Sequence, residues 1–132
     1  MNPKFRAWAG GSLSRMYQPD EVMAGNGDIW IIDEDSVAGD WIENNDLELM
    51  QSTGFRDEFG KELFEGDVLL WTYWDEFEDS GRAKIIFDKG MFKLLDIRTE
   101  KEVWDNLFDC LENCNVYLQG NIHENPNLVE GT

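Results

Sequence analysis

The chain has 132 residues, 42% of them hydrophobic and 13% aromatic, enough for one core without disulfide support and too much for a disordered class. Against 11 Lys and Arg stand 28 Asp and Glu, a formal net charge of −17. That sign argues against direct binding to nucleic acid or to an anionic membrane, since both need basic protein surface. It suits solubility and an encounter with a basic protein.

Lys4-Phe-Arg-Ala-Trp8 alternates polar and apolar, Gly10-Gly11 breaks the pattern and Arg15-Met-Tyr-Gln18 resumes it. This predicts a first hairpin with the glycine pair inside a longer loop. Pro19-Asp20 ends it. Gly27-Asp28-Ile-Trp-Ile-Ile32 predicts a short strand, 33–39 a solvated loop, and Trp41-Ile42 a brief return to the core. Asn44-Asn45-Asp46 turns the chain into Leu47-Glu-Leu-Met-Gln51, where Leu47 and Leu49 share one face, the period of a strand.

The stretch from Leu49 to Trp71 organises the rest. Asp57-Glu-Phe-Gly60-Lys61 fits a type I turn followed by a left-handed glycine. Gly66 is expected at positive φ in a tight Glu65-Gly66-Asp67 corner. Val68-Leu-Leu-Trp-Thr-Tyr-Trp74 is apolar nearly throughout, which predicts a central strand covered on both faces.

Beyond it, Asp75-Glu-Phe-Glu-Asp-Ser-Gly81 reads as an acidic loop. Arg82 to Phe87, the turn Asp88-Lys-Gly90, and Met91 to Ile97 read as the clearest hairpin of the chain. Thr99-Glu-Lys-Glu102 has the spacing of a capping box, and Val103, Trp104, Leu107, Phe108 and Leu111 recur at helical spacing. One short helix is therefore expected over about 100–113. Asn115-Val-Tyr-Leu-Gln119 predicts a last strand, with Gly120-Asn-Ile-His-Glu-Asn-Pro126 closing the domain.

These segments carry a family likeness. Leu49-Met-Gln-x-Thr-Gly54, Asp57-x-x-Gly-Lys-Glu62 and Phe64-Glu-Gly-Asp67 resemble the core motif of the phage and prophage YopX family. The opening Phe5-Arg-Ala-Trp8, the hairpin turn at Asp88 and the closing Gly120-Asn-Ile-x-Glu-Asn-Pro126 resemble the family's ends and second half. Residues 19–45 are covered least, and at His123 the family more often shows an aromatic-like residue. The resemblance implies one YopX-like domain over 1–132, encoded by a phage or prophage and working in the cytoplasm of a bacterial host. No biochemical activity comes with it.

Three groups are candidates for chemistry. Cys110 and Cys114, four apart on one helical face, make three zinc ligands with His123, where a structural site wants four in paired spacings. The reading preferred for both cysteines is that of small buried hydrophobes. His123 is the single histidine and has no Gly-x-Ser-x-Gly elbow to serve, so a packing or surface role is expected. The acidic clusters Asp33-Glu34-Asp35 and Asp75-Glu76-Glu78-Asp79 lack the ligand spacing of a calcium loop.

The expectation is thus a mainly β domain, a small bent barrel or barrel-like sheet with one short helix, having no catalytic residue, metal or cofactor. It would bind a protein partner, with homo-oligomerisation left open. Two alternatives stand beside it: an acidic decoy for a basic, DNA-handling host protein, and a small metal-dependent hydrolase using the carboxylate clusters. Two cysteines without a basic-then-apolar leader suggest the cytoplasm, and no apolar run nears the roughly 18 residues of a membrane span.

Overall fold

The computed structural model describes residues 4–11, 13–25, 27–33, 38–73 and 76–128, with the backbone alone at 73 and 76–79. The chain forms two compact units, Met1–Ser52 and Thr53–Thr132.

In the first unit, β1 (Phe5–Ala9) and β2 (Arg15–Tyr17) pair antiparallel, with Ala7 opposite Tyr17 and Trp8 opposite Met16. The predicted hairpin is present. Next come β3 (Val22–Gly25), β4 (Asp28–Ile32) and β5 (Trp41–Glu43), an antiparallel three-stranded sheet with β4 in the middle. Ile29 and Ile31 point into a core of Ala7, Ala9, Tyr17, Val22 and Leu47, while Trp30 between them faces out. That alternation is what a strand with one wet face requires. Trp41-Ile42 does not return to the core: Ile42 is exposed on the outer strand of this small sheet. The Asn44–Asp46 turn forms as expected. Asn45 Oδ1 accepts from Ile29 N at 2.7 Å, and Asn44 Oδ1 from Asp46 N at 3.0 Å.

Strand β6 (Glu48–Arg56) pairs at its start with β1, Phe5 lying opposite Gln51 and Ala7 opposite Leu49. It continues into the second unit, where β7 (Glu62–Phe64) is its neighbour. Then follow β8 (Asp67–Tyr73), β9 (Glu76–Asp88), β10 (Met91–Asp96), β11 (Glu102–Val103), the helix α1 (Leu107–Asn113) and β12 (Cys114–Asn121). Five of these make one antiparallel sheet in the order β11-β10-β9-β8-β12. Val68 and Leu69, on opposite faces of β8, are both fully buried, so the central-strand expectation holds. The core around Leu69 includes Leu63, Ala83, Ile85, Leu94, Leu107 and Val116. The mainly β class, with a curled sheet and one α-helix among the described residues, agrees with expectation.

Two further local expectations need correction. The segment read as an acidic loop after residue 74 is strand from Glu76 onward, with Ser80 opposite Thr72 and Gly81 opposite Trp71. Residues 74 and 75 lie outside the described ones. The helix starts at Leu107, not near residue 100. Glu100 and Trp104 have φ of 58° and 62°, values no right-handed helix can contain. Thr99 Oγ1 does accept from Lys101 N at 3.2 Å, but inside a turn rather than at a helix start. Asp96 Oδ2 accepts from Arg98 N and Thr99 N, and Asp96 N donates to Lys101 O. The cap is Asn106, whose Oδ1 accepts from Asp109 N at 2.8 Å.

A pair of substitutions checks this. Asn106→Ala should cost about 1 kcal/mol, the usual loss for a side-chain cap, and Thr99→Ala should stay within about 0.5 kcal/mol. Urea midpoints measured on both variants decide; the opposite ranking would restore the capping box.

Candidate functional site

The two cysteines are free and fully buried in the core of the second unit. Burial pushes the Cys110 thiol far up, with its neighbour Cys114 adding to the effect, and burial likewise raises Cys114. Neutral thiols among leucines are packing groups, poor as nucleophiles or metal ligands. His123 lies in the turn after β12, where its backbone N donates to Asn121 Oδ1 at 3.0 Å. Among the described residues, no group of three or more His, Cys, Asp or Glu could hold a metal ion. Of the acidic clusters, residues 34, 35 and 75 and the side chains of 76–79 lie outside that description.

The motif residues do structural work. Asp57, buried, accepts through Oδ1 from Phe59 N (3.0 Å) and Lys61 N (2.8 Å), and through Oδ2 from Leu118 N (3.0 Å) of β12. Asp67, almost fully buried, accepts from Phe64 N at 2.7 Å and so closes the Glu-Gly-Asp corner. Asn121 does the same at the end of the chain: its Oδ1 takes His123 N and Glu124 N, and its Nδ2 donates to Glu124 Oε1. Each is a short polar side chain pairing backbone donors where a strand turns.

Gly120 shares in that last turn. A Cβ there would stand 2.5 Å from Asn125 Oδ1 and 2.9 Å from Leu128 Cδ1. That Asn125 oxygen accepts from Asn121 N. Gly120→Ala should therefore cost about 1–3 kcal/mol through forced displacement of the turn. A urea midpoint equal to wild type would show that the turn yields freely.

What remains as candidate surface is apolar. Phe55, Met91, Phe92, Asn106, Leu107 and Phe108 line an open cleft of about 290 Å³ in the second unit. Phe108 is 52% exposed and Met91 43%. The Phe55 and Phe108 rings lie 5.9 Å apart; Phe87, 44% exposed, lies 4.9 Å from Phe92. The sequence groups Phe108 with the apolar residues that recur at helical spacing. With α1 beginning at Leu107, the inner face is Leu107 and Cys110, and Phe108 turns outward. Read alone, that inner spacing was the signal that could have found it.

The cleft lies where the edge of β10 away from β9 lacks a full-length neighbour among the described residues. β11 pairs with β10 only at Leu94 and Leu95. The positive φ at Trp104, packed edge-on against Trp71 at 5.5 Å, then carries the chain out of the strand and into α1. The rim of the cleft is thus a short helix on one side and an open strand edge on the other. It can hold an apolar side chain, and it brings together no acid–base pair, nucleophile or metal ligand set among its lining residues.

No curated protein matches the chain. Two solved structures resemble it over nearly the full length. One is protein EF1440 from Enterococcus faecalis, 26% identical, with a TM-score of 0.65 and covering 98% of this chain and 99% of that one. The other is protein yopX from Bacillus subtilis, 21% identical, with a TM-score of 0.64, covering 100% of this chain and 99% of that one; at that identity it speaks for the fold. The family model for YopX protein matches residues 4–130, spanning both compact units. No helix among the described residues is long and apolar enough to cross a membrane. On that match over most of its length, the chain belongs to the YopX protein family.

Proposed function

We propose that this protein is a non-catalytic binding module, encoded by a phage or prophage and acting on a host protein in the bacterial cytoplasm. One observation carries the reading: a cleft lined by phenylalanine and methionine and left open on a chain with 28 acidic residues. Exposed aromatic clusters of this kind are more typical of contact surfaces than of inert surface. The buried cysteines and the structural roles of Asp57, Asp67 and Asn121 are consistent with it, because they leave the family's signature residues occupied in holding the fold.

The test is capture from bacterial lysate with wild type and Phe108→Asp side by side. Phe108 is half exposed, so the change should leave the fold intact. A specific partner should be retained by wild type and lost by the variant. Equal capture by both would remove the cleft from the reading.

The net charge of −17 favours a second reading, an acidic decoy for a basic, DNA-handling host protein. Such a partner would be released as salt rises from about 0.05 M to about 0.5 M, where the screening length falls well below 10 Å. Capture insensitive to both salt and Phe108→Asp would count against both readings.

A further inference from the structure

We infer that the cleft receives an extended peptide segment of the partner, with an apolar anchor flanked by Lys or Arg, added as a short strand along the free edge of β10. The inference rests on the binding-module reading above and names what is bound.

The edge comes first. The β9–β10 hairpin has a two-residue connection, Lys89 and Gly90, both at positive φ (52° and 82°), with Asp88 opposite Met91. Such a connection closes on a hydrogen-bonded pair, and pairs then alternate along an antiparallel ladder. Asp88–Met91 and Lys93–Ile86 are then hydrogen-bonded pairs, and Phe92 opposite Phe87 is not. By the same alternation, Phe92 turns its N–H and C=O away from β9, as Leu94 does two residues later. Leu94 meets Val103 of β11. Phe92 meets no strand there, since β11 and β9 are the only neighbours of β10 among the described residues. The N–H and C=O of Phe92, beside an apolar pocket, offer one residue of the geometry used in strand addition.

The occupant follows from the pocket and the segment that lines it. Phe55, Phe108 and Met91 call for an aliphatic side chain, and about 290 Å³ admits one or two. The three lining residues Asn106, Leu107 and Phe108 sit within the chain segment 100–112. That segment carries Glu100, Glu102, Asp105, Asp109 and Glu112 against the single Lys101. Lys93 on β10 is already held by Asp88 at 3.4 Å and Glu102 at 3.3 Å. The charge left over is negative, so the anchor should have basic flanks. A second copy of this chain would bring the same acidic segment and another net −17, which opposes edge-to-edge pairing.

The experiment uses the full chain and three synthetic peptides: acetyl-Lys-Arg-Val-Thr-Leu-Thr-Val-Arg-Lys-amide, the same core with Glu and Asp at its ends, and the basic peptide with both threonines replaced by proline. Titrations are followed by fluorescence anisotropy and by amide NMR. The basic peptide should shift the amide signals of Met91, Phe92 and Lys93. The acidic and proline peptides should each bind at least about tenfold more weakly, since one loses charge pairing and the other loses backbone donors. Phe108→Asp should weaken the basic peptide by a similar factor while leaving the melting temperature near wild type. Equal binding of all three peptides, or shifts confined to residues away from β10 and α1, overturns the inference. So does a concentration-dependent dimer abolished by Phe108→Asp, which would make a second copy the occupant. If no peptide binds but Phe108→Asp still abolishes lysate capture, strand addition fails and the binding module stands. Loss of both effects fells the two together.

Discussion

Gly66→Val should lower stability by about 3 kcal/mol or more, among the largest effects of any single change in this chain. Three costs fall on one position. Gly66 has φ of 88°, a region that β-branched residues almost never enter. The residue is buried, so an isopropyl group must displace neighbouring atoms. Both of its backbone groups are committed: N donates to Ile85 O at 2.8 Å, and O accepts from Ile122 N at 3.0 Å. Rotating φ to a permitted value would break one or both. Gly60→Val is the control, with φ of 82° and nothing within 4 Å of where its Cβ would go. It should cost about 1–2 kcal/mol, the backbone term alone. Urea midpoints at constant m-value separate the two. If Gly66→Val costs no more than Gly60→Val, the corner is not packed as described.

Those elements were legible because the information was local. The Glu65-Gly66-Asp67 corner, the apolar β8 and the Lys89-Gly90 hairpin each need particular residue types at fixed positions, and the residues are there. The helix start was not, because Thr99 and Glu102 have the right spacing for a cap and the deciding fact is the positive φ at Glu100 and Trp104. Strand β3 went unread, since Val22-Met-Ala-Gly25 has too little alternation and finds its reason only in pairing with β4. The acidic stretch from Glu76 became strand for a similar reason: β8 lies alongside it. The cleft was least visible of all. It depends on where β11 stops pairing with β10, and no motif marks the end of a strand pairing.

Asp57→Ala should be the second large effect, about 3 kcal/mol, as expected when a buried charged acceptor is removed and its donors are left behind. The residue is 7% exposed, and its carboxylate receives three backbone N–H groups, from Phe59, Lys61 and Leu118. Two belong to the turn it starts; the third lies 61 residues further along the chain. The backbone also joins these segments, Glu58 N donating to Val116 O at 3.0 Å. The deletion should therefore loosen the turn and the β12 contact together. Asp57→Asn sharpens the test. Its oxygen can still serve Phe59 and Lys61, but its amide then faces the Leu118 N–H, donor against donor. That variant should lose roughly half as much stability, with the loss concentrated at β12. Amide hydrogen exchange distinguishes the two: Asp57→Ala should speed exchange at Lys61 and Leu118 alike, and Asp57→Asn chiefly at Leu118. Protection at Leu118 unchanged in both variants would mean that β8 alone holds β12 in place, and that Asp57 shapes nothing beyond its own turn.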